Sequence, residues 1–252
     1  RRKRRMCVPD VDSQQHAAIR RTHSFRYPAA WILEAVFDAA TNGIIPSLRL
    51  ARLHVFRHGE VQTGAARVCR GQIDVALSPR GLEQSAFAAQ RFVDQYGKPD
   101  RVYSSDLSRC RVFAEQFGVP VRLTRDLREQ DMGDWEGKTW EELTQQDPAG
   151  VTAYWNNYVS ARPRRGESWR EVSMRVQEWW QAEGPLEGRI VMVTHIGPIR
   201  ALLCHWLGLG PDQALRFAPT YATETVVLDA DAGVVIEKMG YDKRKNAMTG
   251  SW

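Results

Sequence analysis

Apolar and polar positions divide the chain near residue 50. Residues 1–28 show no periodicity and read as a flexible stretch. Residues 29–40 suggest one short helix, closed by Gly43 and Pro46. From Leu50 the pattern becomes regular. Residues 50–56 alternate and are β-rich, which predicts a strand running into Arg57-His58-Gly59. Ser78-Pro79 supplies an N-cap and a first-turn proline, and the apolar positions that follow predict a helix to Tyr96. Residues 101–104 and 121–123 read as further strands, and 106–117, 140–146, 168–183 and 197–207 as helices. Residues 189–194, Arg-Ile-Val-Met-Val-Thr, are the strongest strand signal, an apolar run suited to the middle of a sheet. Residues 225–228 and 234–238 read as two late strands joined by an Asp/Gly turn. Strands alternating with helices predict an α/β fold: a three-layer α/β/α sandwich with a mostly parallel central sheet. There is no internal repeat.

Charge sharpens this division. Nine of the 35 Lys and Arg but only four of the 30 Asp and Glu lie in residues 1–50, so 26 of each remain beyond it. The whole net charge of +5 therefore belongs to the first 50 residues, and the body is neutral. The organisation expected is a basic, flexible N-terminal extension over 1–50 and one domain over 51–252. The chain begins on Arg1, so residues 1–50 read as an upstream extension or as the end of something longer. A basic run of this kind is usually solvated. Binding a phosphate backbone needs clustered positive charge that the body lacks, which disfavours nucleic acid as a partner. No apolar run approaches the ~20 residues that span a bilayer, and no signal-peptide pattern follows the first basic residues. Cys7, Cys69, Cys110 and Cys204 are scattered without a C-x-x-C pair, so neither a zinc site nor a disulfide framework is expected. That usage fits a reducing, cytoplasmic setting.

Two predicted strands end alike. One runs into Arg57-His58-Gly59, the other into Thr194-His195-Ile196-Gly197. Ligands of open α/β sheets bind beyond the carboxyl ends of the strands, so the two histidines are candidates to share a pocket. Gly59 and Gly197 allow backbone N–H groups close approach, and the helix that begins after His195 favours an anion at its N-terminus.

Read in order, these pieces resemble the histidine phosphatase (phosphoglycerate mutase-like) superfamily. Arg57-His58-Gly59-Glu60 resembles its Arg-His-Gly motif. Ser104-Ser105-Asp106-Leu107-Ser108-Arg109 resembles the next, whose arginine also holds phosphate. Leu127-Arg128-Glu129 with Gly133-Asp134-Trp135-Glu136-Gly137 resembles the proton-donor segment. Gly166-Glu167-Ser168 and Val193-Thr194-His195 complete a match over about residues 51–230. The resemblance implies that His58 is the nucleophile forming a phosphohistidine, that Arg57, Arg109 and His195 bind the phosphoryl group, and that Glu129 protonates the leaving alcohol. Neutral imidazole is a competent nucleophile, and a guanidinium fork matches phosphate geometry. His195 would add a donor if an adjacent phosphate protonated it. No metal and no other cofactor is required.

Glu136 and Glu60 compete with Glu129. The family's Leu-x-Glu spacing favours Glu129, leaving Glu136 to brace its loop and Glu60 to cap or orient. Ser168 is expected to cap a helix, His54 and His205 to be structural, and Arg70 to be a solvated arginine in preference to one that faces substrate. The sequence departs from the family where many members carry an Asn. Here the run continues Val61-Gln62-Thr63-Gly64, and neither Gln62 nor Thr63 sits at the family spacing. This Asn-less form is similar to α-ribazole phosphatase-like members.

Three functions follow in order: a phosphomonoesterase acting on a small metabolite, α-ribazole phosphate being one candidate; a phosphoglycerate mutase; and a binding protein led by the basic arm. Only 66 residues separate Glu129 from His195, which is short beside the mutases and favours the phosphatase. The partner expected is a small-molecule phosphate ester, with no membrane, and a homodimer stays open. Substrate choice falls to residues 139–165, where Trp140, Tyr154, Trp155 and Tyr158 form either a lid or a helical core edge.

Overall fold

The computed structural model describes residues 50–62, 68–230 and 233–240. The expectations for residues 1–28, for a helix over 29–40, for the basic extension and for Thr63 lie outside these residues. Six strands form one sheet: β1 (Leu50–Arg57), β2 (Arg101–Ser105), β3 (Val121–Thr124), β4 (Gly188–Thr194), β5 (Glu224–Ala230) and β6 (Gly233–Lys238), in the spatial order β3-β2-β4-β1-β5-β6. The pairs β1–β4, β2–β4 and β2–β3 are parallel, and only β1–β5 and β5–β6 are antiparallel. The mostly parallel sheet expected from the alternation of elements is thus present.

The side-chain period explains the layers. Successive residues of a strand point to opposite faces, and both faces of this sheet are covered. Ile190 and Met192 of β4 join Leu53 and Val55 of β1 on one face, packed against helices α5 (Trp169–Ala182) and α6 (Ile196–Trp206) through Val172, Val176, Ile199, Leu202 and Leu203. Val191 and Val193 join Phe56 and Val102 on the other. There α1 (Pro79–Tyr96) and α2 (Ser108–Ala114) bring Ala89, Phe92, Cys110 and Phe113. A strand buried on both sides has no polar face, which is why β4 reads as an uninterrupted apolar run.

Local chemistry sets the helix ends. Ser78 accepts the Gly81 N–H and Pro79 fills the first turn of α1. Ser168 caps α5 in a reciprocal capping box with Glu171, as its position suggested. Two readings change. The segment 106–117 is not one helix, because α2 starts at Ser108 and gives way to a 3-10 turn, Glu115–Phe117. Asp106 is instead drawn into a two-pronged ion pair with Arg128, both contacts at 2.6 Å. A helix not foreseen, α4 (Pro148–Asn156), follows α3 (Trp140–Gln146); Asp147 caps it and Pro148 occupies its first turn.

Because α1 leaves β1 on one face and α6 leaves the neighbouring β4 on the other, the two loops diverge. A crevice opens between them at the carboxyl ends, as expected where connection direction switches. Phe113 is fully buried against Phe56 and Phe117, with ring centroids 5.4 and 5.7 Å away. Phe113→Ala should cost about 3–5 kcal/mol in urea unfolding; a loss under about 1 kcal/mol would contradict this packing.

Candidate active site

The crevice holds a cavity of about 410 Å³ lined by Arg57, His58, Arg109, Glu129 and His195 together. All five residues named from the sequence therefore meet in one place. The parallel register of β1 and β4 sets Arg57 opposite Thr194, and the His58 N–H donates to Thr194 O at 3.0 Å. Their successors are thereby brought side by side, and the His58 and His195 rings lie 5.1 Å apart.

His58 is almost fully buried and its Nδ1 lies 2.7 Å from Gly59 O. A carbonyl can only accept, so Nδ1 carries the proton and Nε2 keeps its lone pair. Burial, and next the positive charges of Arg57 and Arg109, push this imidazole well below its ordinary pKa of 6.5. The ring is held by a tight backbone approach. A Cβ on Gly59 would strike Gly81 O, and one on Gly81 would strike the Glu60 backbone. Glycine at both positions lets the histidine loop lie directly on the start of α1.

Arg109, at the start of α2, is also buried. Its Nη1 and Nη2 donate to Ile73 O and Gly71 O at 2.8 and 2.9 Å, and its Nε donates to His195 Nδ1 at 3.3 Å. With Nδ1 accepting, His195 Nε2 bears the proton and donates to Ser105 Oγ at 2.9 Å. Burial, then the charge of Arg109, lowers the His195 pKa well below 6.5. The donor expected of His195 toward phosphate is thus occupied by Ser105 in this arrangement. Arg57 donates from Nη1 to Pro219 O at 2.9 Å and lies over the Tyr221 ring, 4.1 Å from its centroid.

Glu129 reaches the cavity from the loop after the 3-10 turn Arg125–Leu127. Its carboxylate accepts the Gly197 N–H at 3.3 Å, in the first turn of α6, and the Gln130 N–H at 2.9 Å. A Cβ on Gly197 would collide with this carboxylate, so the glycine keeps the helix end open to it. The rival carboxylates are engaged elsewhere. Glu136 accepts the N–H groups of Gln72, Ile73 and Met132 at 2.5, 2.8 and 3.2 Å and so braces the Arg70 loop. Glu60 accepts from Ser78 Oγ at the cap of α1. His54, fully buried, bonds Glu224 at 2.7 Å, and His205 closes α6, away from the cavity lining. Gln62 is bound through its backbone N–H to Ala76 O. Among the described residues no cluster of three His, Cys, Asp or Glu side chains could hold a metal, and no helix is long and apolar enough to cross a membrane.

The rest of the cavity is aromatic. Trp140, Tyr154, Trp155 and Tyr158 all line it, together with Trp169 and Tyr221. Tyr154 is at the same time part of a small separate core with Cys69, Met132, Trp135, Leu143 and Val151. Tyr154 is therefore cavity wall and core edge at once. Arg70, read as solvated, is half-buried and lines the cavity. Three contributors escaped the sequence reading. Arg200 lies three residues past Gly197 on the same helical face, a spacing that could have revealed it. Ser105 stood within a quoted motif without a role. Tyr221 sits in a turn and carried no local signal.

Comparison with known proteins gives a class and then a family. A glucosyl-3-phosphoglycerate phosphatase of Mycolicibacterium vanbaalenii is 33% identical over 180 residues, 66% of this chain and 78% of that one. An adenosylcobalamin/alpha-ribazole phosphatase of Escherichia coli is 29% identical over 173 residues, 66% of this chain and 84% of that one. The solved alpha-ribazole phosphatase of Shigella flexneri shares the fold, with a TM-score of 0.70 at 24% identity over 75% of this chain and 96% of that one. By class the chain is a phosphoric monoester hydrolase. It belongs to the histidine phosphatase superfamily, branch 1, whose family model matches residues 53–242.

Two buried neutral histidines have a consequence for stability. Unfolding returns both to water, where they bind protons near pH 6.5, while the folded forms stay neutral well below that. The unfolded state therefore binds more protons, and stability present above about pH 6.5 is lost as pH falls, by up to about 2.7 kcal/mol per pH unit for the pair. Urea unfolding between about pH 7 and pH 5 should show this slope, and His58→Asn or His195→Asn should each remove part of it. Equal slopes in all three proteins would refute the buried neutral pair.

Proposed function

We propose that this enzyme hydrolyses a small phosphate monoester in two steps through a phosphohistidine on His58. The observation that carries the reading is the His58 ring itself: neutral, its Nδ1 proton fixed on Gly59 O, its Nε2 lone pair free, and Arg57 and Arg109 beside it. In the first step Nε2 attacks phosphorus and the bond to the ester oxygen breaks. The guanidinium groups of Arg57 and Arg109 balance the charge spread over the phosphoryl oxygens. Glu129 gives its proton to the departing alkoxide. In the second step Glu129, now a carboxylate, takes a proton from water, the water oxygen attacks phosphorus, and the P–N bond breaks to release phosphate.

The alcohol half of the substrate falls against the aromatic wall and Arg200. Arg200 donates from Nε to Phe217 O at 2.8 Å, and its Nη atoms have no partner among the described residues. Glucosyl-3-phosphoglycerate and α-ribazole phosphate, named for relatives, are the first esters to assay, beside phosphoglycerates for a mutase-type transfer. The buried free thiols of Cys69, Cys110 and Cys204 support a reducing compartment. Residues 1–50 are assigned no part in the chemistry.

His58→Ala should lower p-nitrophenyl phosphate turnover by at least ~1000-fold and abolish the acid-labile phosphoenzyme trapped by rapid quench. Retained turnover would remove His58 from the role of nucleophile. Glu129→Gln should slow esters of poorly acidic alcohols by about 100- to 10,000-fold while sparing activated phenyl esters. Equal slowing across leaving groups would show that Glu129 is not the proton donor.

A further inference from the structure

Residues 219–223 carry none of the family motifs, yet they wrap the Arg57-His58 corner from more than 160 positions downstream. Pro219 O accepts from Arg57 Nη1. The Ala222 N–H lies between the carbonyl oxygens of Arg57 and His58, at 3.0 and 3.1 Å. To reach them Ala222 holds a φ of 51°, in the left-handed region that a Cβ disfavours. Thr223 Oγ1 fixes the turn, 2.7 Å from Thr220 O and 2.9 Å from Gly240 O. This geometry turns the Tyr221 ring inward, with the Arg57 Cζ 4.1 Å from its centroid and the His58 ring 5.5 Å away.

We propose that Tyr221 is a positioning residue that holds the Arg57 guanidinium in place and in register for the phosphoryl group. The proposal rests on the reading of Arg57 as a phosphate ligand. Among the described residues Arg57 Nε is buried without a hydrogen-bond partner, and Nη1 is committed to Pro219 O, so they hold this cation with no matched set of acceptors. The negative face of an aromatic ring attracts a desolvated cation without taking any of its N–H donors. The ring below Cζ and the Pro219 carbonyl on Nη1 are two fixed points, and together they hold the guanidinium in the cavity lining.

The test is steady-state hydrolysis of p-nitrophenyl phosphate with competitive inhibition by inorganic phosphate, on the full chain. Tyr221→Phe keeps the ring and should stay within about twofold of the starting protein. Tyr221→Leu should raise the inhibition constant for phosphate and lower kcat/KM by roughly ten- to thirtyfold. If the leucine variant does not fold by its thermal melt, Tyr221→Met takes its place. Because Tyr221 acts through Arg57, the same change in an Arg57→Gln background should cost less than about twofold more. Losses that multiply in both backgrounds, or a phenylalanine variant as impaired as the leucine one, would overturn the clamp and leave Arg57 as a phosphate ligand. Unchanged phosphate inhibition in Arg57→Gln alone would overturn the phosphate-ligand reading, and the clamp with it.

Discussion

The parallel pairing of β1 with β4 is the constraint on which the rest depends. It sets Arg57 opposite Thr194 and closes with the bond from His58 N–H to Thr194 O. Register in a strand buried on both faces is strongly specified, because a slip of one residue would turn Ile190 and Met192 toward α1 and α2 and Val191 and Val193 toward α5 and α6. The two packed layers thus fix the register, and the register fixes the histidine pair. The site needs no separate force to assemble it. It forms where the two strands end and their chains part to opposite faces.

Close approach makes the second contribution. Gly59 and Gly81 let the histidine loop lie on α1, and Gly197 lets Glu129 reach the first turn of α6. A side chain at any of the three would push backbone or carboxylate away from the cavity. The same compactness gathers positive charge around His58. Arg57 and Arg109 flank His58, and both histidines answer by staying neutral. For His58 that is the form the proposed attack on phosphorus needs. The hydrogen bond to Gly59 O then decides which nitrogen holds the lone pair.

Much of this was legible in the chain, for physical reasons. The β4 run is apolar because both its faces are covered, and the caps Ser78 and Ser168 act within three residues of themselves, so a local reading finds them. His58, Arg109, Glu129 and His195 were recoverable because each sits in a short motif whose order the fold preserves. What escaped depended on distant partners. Asp106 left the predicted helix for Arg128, more than 20 positions away. Arg70 lies half-buried in a loop that Glu136, more than 60 positions away, braces through the Gln72 and Ile73 N–H groups. Tyr221 carries meaning only beside Arg57, and nothing within its own turn announces that contact.

The residues proposed for the chemistry and those proposed to meet the alcohol occupy different supports in this molecule. His58, His195, Arg109 and Glu129 stand on strand ends, a helix start and a braced loop, all tied to the two main packed layers. Trp140, Tyr154, Trp155 and Tyr158 stand on α3, α4 and the turn beyond; Tyr154 lies in a small core with Trp135 and Leu143, Trp140 and Tyr158 pack against it, and the exposed Trp155 leans on Trp140 and Tyr154. The two parts still touch: Tyr154 bonds Gln130, next to Glu129, at 3.3 Å, and Met132 of the small core shares the Glu136 carboxylate with the loop whose carbonyls hold Arg109. A scaffold arranged in this way can keep one phosphoryl-transfer centre while its aromatic wall is fitted to different alcohols. Such an arrangement is consistent with relatives that are named for chemically unlike phosphate esters.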